Sequence, residues 1–342
     1  MSACPSGPHS HSNDARRLTV TEMRMAGVSA EVSGGQKLTD LYRYWARRQT
    51  PGDDPGMDLL RDLYGGWAQF AIEAEGVSFK TVDEADVKGI WAQPASPGEG
   101  AILYIHGGGY IGGSANGHRK LAAHIAKAAN VPAFVLDYRL APEHPYPAAL
   151  EDSLQAFEWI VGQGLASEKV AVVGDSAGGS LATAVALHRK DDKLPLPGAI
   201  AVMSPFYDIT ATGRTFETNA GKDAIASDRS TISGLHVLLL GEGITPENPY
   251  LNALNSDPAG LPPVHIAFGG DETLLSGGED FAALAGSKDV DVELCVYPGQ
   301  QHVFQMLAGA DADADDSIRR IGEFIQCHIN RKSPDSLSTD LG

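Results

Sequence analysis

The stretch Lys169-Val-Ala-Val-Val-Gly174-Asp175-Ser176-Ala177-Gly178-Gly179-Ser180 decides how this chain is read. Its first five residues are an apolar run ended by glycine, which predicts a buried strand. The segment that follows, 178–190, has helical spacing. Between the two lies G-x-S-x-G, which sets a serine on a sharp strand-to-helix turn. The spacing has a steric reason. The residues two before and two after the serine must be small, so that strand and helix can approach. The hydroxyl then stands free at the strand's C-terminal end, and the helix N-terminus faces any developing negative charge. A glycine-rich turn with an incidental serine shares the spacing. The strand before and the helix after favour a nucleophile.

A second glycine cluster, His106-Gly-Gly-Gly109-Tyr110, directly follows the apolar run 101–105. Nucleophilic attack on an acyl carbonyl creates an oxyanion, which needs preorganised N–H donors. Consecutive glycines let the backbone approach closely and aim those groups. Gly108, Gly109 and Ala177 are the expected donors, with His106 orienting the loop rather than acting as a base. A dinucleotide-binding loop is disfavoured, because no acidic residue stands at the spacing such a loop requires.

A serine nucleophile needs a base, and the base needs an acid to orient it. In this architecture they follow in the order serine, acid, histidine. Of 11 histidines, only His302 and His328 come after both Ser176 and a further strand-loop acid. His328 falls in the last helical segment and is expected at the surface. His302 follows the predicted strand 292–296. Asp271 follows the predicted strand 264–268 and is the expected acid, with Glu272 its nearest rival.

Working outward, predicted strands at 77–82, 87–92, 101–105, 132–136, 169–173, 199–203, 264–268 and 292–296 alternate with helical segments at 117–129, 148–162, 178–190, 279–286 and 315–330. This rhythm implies an α/β fold, a mostly parallel sheet with helices on both faces. The first two strands have no helix between them, so that end is expected to be antiparallel. Residues 1–17 and 333–342 read as loose tails. Helices within 18–75 precede any strand and read as a cap. The interval 205–247 breaks the rhythm and reads as a cap insertion with a helix near 228–240. The core is then 76–204 and 248–332. Acidic residues outnumber basic ones, 44 against 26, for a net charge of −18. That charge argues against nucleic acid or an anionic membrane surface as partner. Three scattered cysteines suggest neither a disulfide framework nor structural zinc. The N-terminus lacks signal-peptide features, so a cytoplasmic protein with no membrane anchor is expected. The run Asp311–Asp316 lacks the pattern of a calcium loop and reads as a helix start.

From about residue 76 to 330 the chain resembles the hormone-sensitive-lipase-like (bacterial family IV) esterases of the α/β-hydrolase fold. The resemblance rests on His106–Gly109, Asp137-Tyr-Arg-Leu-Ala-Pro-Glu143, Pro147–Asp152, Gly174–Gly179, Asp271 and His302. It implies a helical cap over the core and a serine carboxylesterase needing no cofactor or metal. The substrate would be a small ester, short to medium in chain length and neutral, and a homodimer is possible. Asp137–Glu143 would be scaffold. A departure stands at Ser276 and Gly277, where many relatives carry an acidic pair. A lactone hydrolase would use the same groups, and a ligand receptor would be expected to lack His302. Tyr110, Phe206, Tyr207, Leu235 and Trp45 are the candidate substrate-binding residues, each equally explicable as core.

Overall fold

The computed structural model describes residues 38–44, 56–84, 87–225, 229, 232, 235, 238–240 and 244–330. All belong to one compact unit, Gly34–Gly342. Both expected tails, Trp45 and most of the expected helix near 228–240 lie outside the described residues. Positions 229, 232, 235, 238 and 239 of that helix are described and helical.

Eight strands form one sheet in the order β1-β2-β4-β3-β5-β6-β7-β8. They are β1 (Val77–Glu84), β2 (Val87–Pro94), β3 (Ala101–Ile105), β4 (Ala133–Leu136), β5 (Val170–Asp175), β6 (Ala199–Met203), β7 (Val264–Gly269) and β8 (Val292–Tyr297). β2 runs antiparallel to both β1 and β4, and every other pairing is parallel. Every residue of β3 to β7 is buried. This is why these strands read as unbroken apolar runs, as expected for a parallel sheet covered on both faces.

The period of two sorts the side chains into two cores. Leu103, Ile105, Val172, Val202, Ile266 and Phe268 face one way. They pack with the helices α3 (Ala148–Val161), α4 (Ala177–Asp191) and α5 (Leu275–Gly286). Ile102, Tyr104, Val135, Ala171, Val173 and Met203 face the other way, against α2 (Ala115–Ala129) and α6 (Ala312–Ile329). A further helix, α1 (Gly56–Gly65), precedes the sheet, as does a helical segment at 38–44.

The starts of α2, α5 and α6 lie two to four residues earlier than the apolar periodicity indicates, and at α2 and α6 a side-chain cap rather than an apolar residue sets the start. Ser114 accepts the Gly117 N–H at 3.0 Å and starts α2. Asp311 accepts from Asp313 and Ala314 and starts α6, so one acid of the Asp311–Asp316 run is a helix cap. His328 is a correction: it is buried, its ring tilted against Phe324 at 4.4 Å between centroids.

The expected scaffold segment holds several elements together. Asp137 accepts the Ala115 N–H at the start of α2. Arg139 pairs with Asp152 and Glu151 of α3. Glu143 takes a bidentate pair from Arg61 of α1, and Arg61 also donates to the carbonyls of Ile111 and Ala141. One guanidinium thus ties α1 to the loop that follows the glycine cluster.

Candidate active site

Ser176 sits at the exit of β5 with φ 51° and ψ −121°. For a residue with a Cβ this conformation costs about 1–3 kcal/mol and persists only if its surroundings hold it. They do. Its N–H donates to Met203 O at 2.9 Å, and its carbonyl accepts from Gly179, Ser180 and Phe206. The flanking glycines are required by contact. A Cβ on Gly178 would lie 2.0 Å from Ile105 O, and one on Gly174 2.3 Å from Gly178 O.

The glycine loop after β3 packs on this turn. A Cβ on Gly107 would stand 2.3 Å from Asp175 Oδ2 and 3.0 Å from Ser176 Cβ. Gly108 (φ 119°) and Gly109 (φ 62°) take left-handed backbone angles that a side chain would strain. Among the described residues, the N–H groups of Gly108, Gly109 and Ala177 have no hydrogen-bond acceptor. They therefore remain available for an oxyanion beside Ser176.

Beneath the loop His106 lies between Tyr138, at 4.2 Å between ring centroids, and His118, at 5.2 Å. Burial, with His118 beside it, lowers the His106 pKa to about 3, so the ring is neutral. Its Nδ1 is 2.8 Å from Gly107 O and must carry the proton to donate there. Asp175 is a buried anchor. It accepts from Tyr104 Oη at 2.7 Å and faces His118 Nε2 at 3.5 Å. Burial alone would raise the Asp175 pKa, but the neighbouring His118 and Tyr104 bring it below the usual carboxylate value.

His302 Nε2 lies 2.9 Å from Ser176 Oγ. Its Nδ1 lies 2.8 Å from Glu272 Oε2. The carboxylate that pairs with His302 is therefore that of Glu272, where the sequence expectation had Asp271. β7 ends at Gly269. The turn after it sends the Asp271 N–H to Gln300 O at 3.2 Å and leaves the Asp271 side chain half-exposed. Glu272, one residue on and one methylene longer, folds back under the sheet edge. Its Oε1 accepts from Ser204 Oγ at 2.7 Å and from the Gly269 N–H. Ser204 in turn accepts from the Val303 N–H, next to His302, at 3.0 Å. Asn219 Nδ2 donates to the carbonyls of Gly270 and Glu272, fixing the turn itself.

The electrostatics follow from this packing. Burial pushes the Glu272 carboxyl up, against the stabilising hydrogen bonds from His302 and Ser204. Burial pulls His302 down, but the hydrogen bond and charge of Glu272, with Asp223 and Asp175 further off, raise it above 6.5 overall. Tyr42 of the 38–44 helix donates to His302 O at 2.8 Å, holding the base from its backbone side.

The candidate substrate residues separate. Tyr207 is fully buried, its hydroxyl 2.7 Å from Thr183 Oγ1 and its ring 4.4 Å from Phe281, so it is core behind the nucleophile. Tyr110 is buried in the same core. Phe206 is buried there too, while its backbone N–H and carbonyl bond to Ser176 and Ser180. Leu235 stands by the loop: a Cβ on Gly109 would be 3.2 Å from its Cδ2. Glu272's partners Ser204 and Asn219, and the tie made by Arg61, carry no sequence signal. Each is an ordinary polar residue brought in from a distant segment.

A family model described as alpha/beta hydrolase fold matches residues 102–306. An esterase of Acinetobacter venetianus is 32% identical over 248 residues, covering 72% of this chain and 82% of that protein. An acetyl-hydrolase of Streptomyces hygroscopicus is 30% identical, covering 69% of this chain and 78% of that one. The crystal structure of an esterase from the bacterial hormone-sensitive lipase family superposes with a TM-score of 0.81 at 33% identity, covering 88% of this chain and 100% of that one. The chain therefore belongs to the α/β-hydrolase fold family, among the hormone-sensitive-lipase esterases, and is a carboxylesterase-like serine hydrolase. Among the described residues no helix is long and apolar enough to cross a membrane.

Proposed function

We propose that Ser176, His302 and Glu272 form the catalytic triad of a hydrolase of small, neutral carboxylic esters with short to medium acyl chains. The observation that carries this is the unbroken relay from Ser176 Oγ through His302 to Glu272, at 2.9 and 2.8 Å, on a backbone turn held at φ 51°. His302 Nε2 takes the serine proton as Oγ attacks the ester carbonyl. Glu272 holds the Nδ1 proton in place and stabilises the imidazolium. The N–H groups of Gly108, Gly109 and Ala177 bind the oxyanion, each worth about 3 kcal/mol of barrier. His302 then protonates the departing alcohol, and water, activated by the same ring, releases the acid.

The short acyl limit draws on the acetyl-hydrolase relative and on Leu235 crowding the loop at Gly109. The preference for neutral esters draws on the net charge of −18, which repels anionic substrates at long range. The test is a panel of nitrophenyl esters from acetate to laurate, with simple lactones alongside. The expected result is a higher kcat/KM on the short- and medium-chain esters than on laurate. A maximum at laurate, or on a lactone, overturns the substrate assignment. Loss of all turnover in Ser176→Ala checks the chemistry separately.

A further inference from the structure

A second constellation lies on β7 and β8, away from the ester site. His265 of β7 and Glu293 of β8 are partners in register, and Cys295 follows two residues on, on the same face. His265 is fully buried, yet among the described residues neither of its ring nitrogens has a hydrogen-bond partner. An imidazole buried without partners costs stability unless something satisfies it. His265 Nδ1 is 3.5 Å from Glu293 Oε2, within ion-pair range but without hydrogen-bond geometry. Cys295 Sγ is 3.5 Å from Glu293 Oε1. All three ligand atoms lie within 4.8 Å of one another.

Ligand atoms around tetrahedral zinc stand roughly 3.3–3.6 Å apart, given bonds near 2.0 Å to nitrogen or oxygen and 2.3 Å to sulfur. His265 Nδ1 to Glu293 Oε2 and Cys295 Sγ to Glu293 Oε1, both 3.5 Å, fall in that interval, one to each carboxylate oxygen. The donors are one imidazole, one carboxylate and one sulfur, a set that suits a borderline cation better than calcium or magnesium. Glu293 and Cys295 are partly exposed, so a water has access to the fourth position. From the packed helix α6, Phe324 covers the His265 ring at 5.5 Å. Arg320 is tied to Asp316 at 2.9 Å.

We propose that His265, Glu293 and Cys295 bind one divalent transition cation, zinc foremost, as a clip between β7 and the edge strand β8. On binding, the thiol proton of Cys295 leaves to solvent and its sulfur becomes a thiolate ligand. The clip is structural rather than catalytic. β7 and β8 deliver Glu272 and His302 at their C-terminal ends, so the cation fastens together the two strands that present acid and base.

The test uses the full chain, stripped with chelator and titrated with cobalt(II). The expected result is one cobalt per chain with a thiolate-to-cobalt charge-transfer band and a raised Tm. The band persists in Cys327→Ser and is lost in Cys295→Ser. Affinity falls about tenfold or more in Glu293→Gln and in His265→Gln. Glu293 is partly exposed, so its variant keeps the test sound if replacing the buried histidine unfolds the chain. No thiolate band, a band surviving Cys295→Ser, or affinity unchanged in Glu293→Gln overturns the site.

Discussion

Two strand exits face each other across the site, and they obey different rules. At the exit of β5 the glycines of the turn are dictated by contact. Gly174 and Gly178 are forced by carbonyls 2.3 and 2.0 Å from any added Cβ, and Ser176 is locked at φ 51° by four backbone hydrogen bonds. At the exit of β7 two adjacent carboxylates, Asp271 and Glu272, are offered to one histidine. The chemistry of the two side chains is the same. What separates them is the direction the turn gives each and the partners waiting there: Ser204, the Gly269 N–H and His302 for Glu272, and open solvent on one side for Asp271. A motif is legible where local sterics fix it. It is not legible where distant residues choose between equals.

The largest expected effect tests the β5 exit. Ser176→Ala should lower kcat by about 10⁶-fold and abolish labelling by a fluorophosphonate. The comparison itself breaks or stands on the next pair. Glu272→Gln should lower kcat by about 10⁴-fold, because the amide no longer stabilises the imidazolium or fixes its tautomer. Asp271→Asn should stay within about twofold of the parent enzyme, as for an uninvolved surface group. A reversed ranking in single-turnover assays would return the role to Asp271.

A pH profile sharpens the same point. His302 must be neutral to accept the serine proton, and Glu272 holds its pKa above 6.5. The rate should therefore rise with pH through a limb above 6.5. In Glu272→Gln the residual activity should show that limb moved to lower pH, since the raising charge is gone. The smallest effect concerns support for the acid. Ser204→Ala removes one of the hydrogen bonds that Glu272 accepts and should cost roughly tenfold in kcat. A change smaller than about twofold would mean that the Gly269 N–H and His302 hold the carboxylate without Ser204.

Much of the molecule is legible in the sequence. All eight strands, the antiparallel first pair, the serine turn, the glycine loop and His302 follow from apolar runs, glycine spacing and chain order. Helix starts were less so, because Ser114 and Asp311 begin their helices ahead of the apolar pattern. The aromatic residues near the nucleophile misled for a general reason. Tyr207 and Tyr110 have the composition of a pocket wall, but an aromatic residue beside a motif is as readily buried in the core behind it.

Local physics is written in neighbouring residues. A glycine required by a carbonyl 2 Å away, or an apolar run required by burial on both faces, leaves its mark at its own position in the chain. The sequence by itself therefore determined the sheet, the serine turn and the place of His302 after its strand. The acid, its support by Ser204 and Asn219, the tie from Arg61 to Glu143, and the meeting of His265 with Glu293 and Cys295 join segments far apart in the chain. Those were decided only by tertiary structure, because a hydrogen bond between distant segments imposes no spacing that a single chain can display.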